Sequence, residues 1–190
     1  MNKNIFISGV IGLVLGVILA PVFTPIMPWG ARTQIDSHFI EQMIPHHEDA
    51  IIMASLALEN AEHQEIKTLA GDIISSQSEE IDQMEEWYKS WFGIDVPSLS
   101  FSMGHDMGMM THGGMMGDET DISALENAEL FDKEFIEQMI PHHQMAVMMA
   151  QMLSYSTSRQ EMKQLAENIV MAQTKEINQM REWYNVWHEN

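Results

Sequence analysis

Phe39-Ile-Glu-Gln-Met-Ile-Pro-His-His47 returns unaltered as Phe135-Ile-Glu-Gln-Met-Ile-Pro-His-His143. Two copies imply one structural unit used twice. Around the first copy, Phe39, Met43, His46, Ala50, Met53 and Ala57 recur at spacings of four and three, the period of a helix with one buried stripe. Around the second, Asp132, Phe135, Met139, His142, Ala146, Met149 and Leu153 do the same, and Asp36 stands where a helix cap would stand.

Each copy is followed by a second periodic run. Ile66, Ala70, Ile73, Gln77, Glu80, Met84, Trp87 and Trp91 form one, and Met162, Ala166, Ile169, Gln173, Glu176, Met180, Trp183 and Trp187 form the other. Both close on Gln-Met-x-x-Trp-Tyr, at Gln83 to Tyr88 and Gln179 to Tyr184, and Gly93 ends the first. A helical hairpin with a single apolar stripe cannot bury it alone, so the two hairpins must pack on each other. The expectation is an all-α four-helix bundle with approximate twofold symmetry. Hairpin 1 spans about 34–92, a long crossover 93–121, and hairpin 2 about 122–189.

Ahead of the bundle, residues 1–30 read as a signal peptide or an N-terminal membrane anchor. Ile5 to Phe23 is free of charge and follows Lys3. At 1.5 Å per residue it reaches roughly 28 Å, close to one hydrocarbon core. Residues 31–190 are then expected on the outer side, periplasmic or extracellular, either released or tethered to the inner membrane. The chain has 19 Met, 9 His, no Cys and a formal net charge of −19. The missing cysteines exclude disulfides and thiolate chemistry, and nine basic residues against twenty-eight acidic ones exclude a phosphate-binding surface and hence nucleic acid.

What remains is soft-metal chemistry. Met43 lies three and four residues before His46 and His47, as does Met139 before His142 and His143, which brings a thioether beside two imidazoles on a helix surface. Pro45 and Pro141 interrupt the helix at the same place, or else begin it as a first-turn residue. Carboxylate-bridged di-iron bundles need Glu-x-x-His; here the slot reads Met-x-x-His. Thioether with imidazole selects copper, Cu(I) above all and Cu(II) as a second state, with silver as a surrogate and zinc as a weaker choice.

The crossover repeats that chemistry on a glycine-rich stretch, with Met103, His105, Met107, Met109, Met110, His112, Met115 and Met116 as candidate ligands. Met53, Met149, Met84 and Met180 are either further donors or core filling. Glu80 and Glu176, on an otherwise apolar stripe, are acceptors suited to orienting the imidazoles or members of a structural polar layer. His38, His63 and His188 have no repeated counterpart and are expected on the surface.

The Met-x-Pro-His-His helices, Met43 to His47 and Met139 to His143, with the closing Gln83-Met84-Glu85-Glu86-Trp87 and Gln179-Met180-Arg181-Glu182-Trp183, resemble a family of small exported bacterial proteins known as a domain of unknown function. The resemblance covers about Asp36 to Phe92 and Asp132 to His188. It implies a ferritin-like bundle, copper binding outside the cytoplasm, a part in copper resistance and no catalytic residue. A tandem member should be complete as a monomer.

The expected function is therefore a binder that sequesters copper or hands it on, its partners the metal ions themselves and a copper exporter, sensor kinase or cuproprotein. The membrane enters only through the N-terminal segment. Two other readings stay open: a ferritin-like metal oxidase, and a membrane-tethered interaction bundle without metal function.

Overall fold

A computed structural model describes residues 29–97 and 120–188; side chains are described from Gln34 onward in the first of these stretches. All but the last two residues of the segment read as signal or anchor, and the Met/His crossover ligands, lie outside the described residues. Among the described residues no helix is long and apolar enough to cross a membrane.

Four long helices form: α1 (Trp29–Asn60), α2 (Gln64–Phe92), α4 (Phe131–Ser156) and α5 (Gln160–His188), with a short α3 (Ile122–Glu126) ahead of α4. α1 pairs with α2 and α4 with α5, and the two hairpins meet chiefly where α1 packs on α4. Gly93 closes α2 in the left-handed region, φ 74°, its N–H bonded to Lys89 O at 2.9 Å. Glycine adopts that conformation without a Cβ penalty.

The packing forms two apolar clusters at opposite ends of the bundle. One joins the second half of α1 (Ala50, Met53, Ala57) to the start of α2 (Ile66, Ile73), the start of α4 (Phe135, Met139) and Met180 of α5. The other joins Phe39, Ile40 and Met43 to Met84 and Tyr88 of α2, and to Met149, Leu153, Met162 and Ile169. α1 and α4 thus run antiparallel, and the clusters exchange under the repeat. Full burial of each large apolar side chain contributes about 1.5–3 kcal/mol. Tyr88 is more deeply buried than the neighbouring Trp87 that the stripe favoured, its hydroxyl donating to Glu41 Oε1 at 2.6 Å; Tyr184 does the same to Glu137 at 2.6 Å. That bond pushes the Tyr88 pKa up to about 12, with burial adding to it.

Two features depart from the sequence reading. α1 begins before Asp36, so Asp36 is not a cap. It is buried inside the helix and accepts from Arg159 Nε at 3.2 Å. His63 is not a free surface residue either: its backbone N–H and its Nδ1 bond Asp132 at 2.8 and 2.6 Å, and its ring stacks on Trp187 at 3.7 Å. The repeat makes these one motif, because Arg159 lies over Trp91 at 3.9 Å in the other half. Each corner is a carboxylate, a cation-forming side chain and an indole, joining one hairpin to the other.

Candidate metal centre

Between the two apolar clusters lies a polar layer. His46, His47, Gln77, His142, His143 and Gln173 are all buried there, each coming from the buried stripe of its own helix. Pro45 and Pro141 lie inside α1 and α4 with exposed side chains, so neither is a first-turn residue. A proline cannot donate to the carbonyl four residues back, at Glu41 and Glu137. Each interruption falls one residue before an imidazole pair.

The histidines of the two triplets come together in one layer. His46 and His142 meet across the pseudo-twofold axis with ring centroids 3.7 Å apart and planes tilted by 40°. Each lies about 6 Å from its own neighbour, 6.4 Å for His46 to His47 and 6.1 Å for His142 to His143. Four imidazoles therefore share one layer. Met43 and Met139, both fully buried, belong to the apolar clusters on opposite sides of it.

Burial sets the charge of the inner pair. It is the main cause holding His46 down to about 3, with repulsion from His47 and His143 adding to it. His142 is depressed well below its ordinary value in the same way, by burial first and then by His46, His143 and His47. Both are neutral at any physiological pH, as an imidazole ligand must be.

The outer pair is oriented by carboxylates. His47 Nε2 donates to Glu80 Oε2 at 2.7 Å, and His143 Nε2 to Glu176 Oε2 at 2.7 Å. In the neutral imidazole that a metal requires, this bond puts the proton on Nε2 and leaves the Nδ1 lone pair over. Both Nδ1 atoms are buried, and among the described residues neither has a hydrogen-bond partner; Gln77 Oε1 and Gln173 Oε1 are in the same position. A buried lone pair without a donor costs about 1–3 kcal/mol. A metal ion is one of the few things that would relieve it.

Among the described residues no three His, Asp or Glu side chains gather into a cluster able to hold a metal by themselves. Imidazole supplemented by thioether is a donor pair that suits a soft ion of low coordination number. Met53 (0% exposed), Met84 and Met180 pack as core residues, and Met149 nearly so. Met148 and Met152 are exposed, and Met145 is half-buried.

Comparison with known proteins gives this architecture a family. The profile of the family described as Domain of unknown function (DUF305) matches residues 36–184. The chain belongs to the DUF305 family. Among solved structures similar to this DUF305 chain, CopM in the Cu(I)-bound form is 48% identical with a TM-score of 0.70, over 80% of this chain and 97% of that one. CopM in the Cu(II)-bound form is 50% identical with a TM-score of 0.72, over the same shares, and CopM is also known in an Ag-bound form. A DUF305 fragment from Deinococcus radiodurans is 30% identical with a TM-score of 0.62, over 78% of this chain and 93% of that one. A curated relative, the uncharacterized protein L153 of Acanthamoeba polyphaga mimivirus, is 43% identical over 49 residues, which are 26% of this chain and 32% of that protein. The chain spans about a third of that relative's length.

Proposed function

We propose that this protein binds copper outside the cytoplasm, Cu(I) in preference to Cu(II), and sequesters it or hands it on, contributing to copper resistance without catalytic turnover. One observation carries the proposal: two fully buried imidazoles, His47 and His143, each with Nε2 fixed by a carboxylate and Nδ1 without a hydrogen-bond partner among the described residues. Met43 and Met139 would supply the thioethers, His46 and His142 further neutral nitrogens. The Cu(I)-, Cu(II)- and Ag-bound forms of CopM support the same cargo. Ligands that need not lose a thiol proton suit release to an acceptor. The acidic surface supports attraction of cations from solution.

The test is anaerobic titration with Cu(I) against a chromogenic chelator, using the wild-type chain and a His47→Ala/His143→Ala variant whose helicity is checked by circular dichroism. Tight uptake that the variant loses is expected. Equal uptake by both proteins would remove the central layer from the proposal. Continuous oxygen consumption with Cu(I) at catalytic protein concentration would replace the binder with an oxidase.

A further inference from the structure

The repeat creates two equivalent grooves between α1 and α4, one at each end of the bundle, and the structure treats them differently. At the end where α4 begins, α3 fills the groove: Leu125 is fully buried among the core residues, and Gln138 clamps the backbone of Asp121 through bonds of 3.0 and 3.1 Å. At the other end no helix takes that place among the described residues, and an open groove of about 690 Å3 lies between the first half of α1 and the last turns of α4.

Its lining differs in kind from the sealed one. His38, Met149 and Met152 all face the open groove, with Phe39 beside them and Glu41 and Gln42 at its edge. Under the repeat, His38 corresponds to Glu134 and Met152 to Leu56, so the imidazole and the exposed thioether occur only where the groove is open. A groove kept merely apolar would have no use for that exchange. The Gln42 amide donates to His38 Nε2 at 3.1 Å, which marks Nε2 as the nitrogen carrying the lone pair. That exposed bond is weak enough for an incoming cation to replace it. Met152 is 59% exposed and Met149 8%, so one sulfur meets solvent while the other forms the floor.

The floor continues inward. Met152, Met149, Met145 and His142 follow one another along α4 at spacings of three, four and three, a single helical face that runs from the open groove to the central layer. Met152 at its outer end is exposed, and Met149, half-buried Met145 and His142 at 1% follow it inward.

We propose that the open groove is a second, surface-accessible site for a soft monovalent cation, Cu(I) or Ag(I), held by His38 Nε2 and the thioethers of Met149 and Met152. One imidazole with two thioethers is a donor set that selects such ions over zinc, magnesium or calcium. Glu41 adds negative charge at the rim, and Met145 connects the site to His142. Only this onward connection rests on the central layer being a store of the same cargo; the site itself stands on its own donors.

The test uses the full-length chain labelled with 13C in its methionine methyls and 15N in its histidine rings, titrated anaerobically with Ag(I) and followed by NMR. Met152→Leu and Met149→Leu assign the two methyl signals, and Met148, exposed but outside the groove, is the internal control. The methyls of Met149 and Met152 should shift in step with the His38 ring, with Met148 unmoved. His38→Ala, a surface change that leaves the core intact, should weaken the response of both methyls at least about tenfold. A Met148 shift equal to that of Met152 would mean indiscriminate thioether binding and would overturn the proposal. So would static Met149 and Met152 signals while the His47 and His143 rings move, a result that leaves the central layer standing. Movement in the groove with static His47 and His143 would support this site and remove the central one.

Discussion

The two corners of the bundle are built to one plan from different chemistry. At one, Asp132 accepts from two backbone N–H groups, of Glu62 at 3.0 Å and His63 at 2.8 Å, as well as from the His63 ring. At the other, Asp36 accepts from Arg159 Nε, and among the described residues its second oxygen has no partner. The first carboxylate is anchored by the main chain and would keep two donors if its imidazole were removed. The second depends on a guanidinium. Duplication has preserved geometry at the corners while letting their energetics diverge, whereas the central layer has kept residue identity in both halves: His, His, Gln and Glu.

Acid should have the largest effect, and should treat the halves alike. His46 and His142 are neutral in the folded chain and have the ordinary value of 6.5 when unfolded, so below pH 6.5 the unfolded chain takes up protons that the folded one refuses. Stability of the metal-free protein should therefore fall as pH drops from 6.5 towards about 3, each histidine contributing up to about 1.4 kcal/mol per pH unit. Urea midpoints measured across that range check it. His46→Phe and His142→Phe should each flatten the curve to a similar degree, and a clear inequality would break the equivalence of the two inner imidazoles.

The corners should respond unequally. Arg159→Ala strands a buried carboxylate and should cost about 3 kcal/mol. His63→Ala leaves Asp132 its backbone donors and should cost about 1 kcal/mol. Equal losses in chemical denaturation would erase the contrast drawn above.

Within the layer the halves should again match. Glu80→Gln and Glu176→Gln, read by chelator competition, should each lower copper affinity by about 10- to 100-fold, because the amide no longer fixes the proton on Nε2. A loss confined to one of them would show that the outer histidines are not equivalent. Smallest of all, Tyr88→Phe and Tyr184→Phe should each cost about 1 kcal/mol, one hydrogen bond to a glutamate apiece.

Much of the bundle was legible before any coordinates because the repeat supplies its own alignment: Phe39 with Phe135, Gln77 with Gln173, Trp91 with Trp187. Stripes say which face of a helix is buried. They do not say which residues of two stripes meet, so the approach of His46 to His142 across the axis is hidden in them. The corners were missed for a related reason. His63 and Arg159 occupy equivalent positions but are different residues, and a search for identity discards such a pair; the repeated Asp36/Asp132 and Trp91/Trp187 around them were the available clue. The five residues of α3 are too few to show a helical period, so nothing in the sequence separates the plug from the rest of hairpin 2.

In their neutral, metal-binding form His47 and His143 carry their protons on the nitrogens that face Glu80 and Glu176. An ion arriving at either Nδ1 has nothing to displace. The heat of uptake near neutrality should consequently be the same in buffers of widely different ionisation enthalpy, and the positive charge brought in should remain in the interior beside the two glutamates instead of being exchanged for acid released to the solvent.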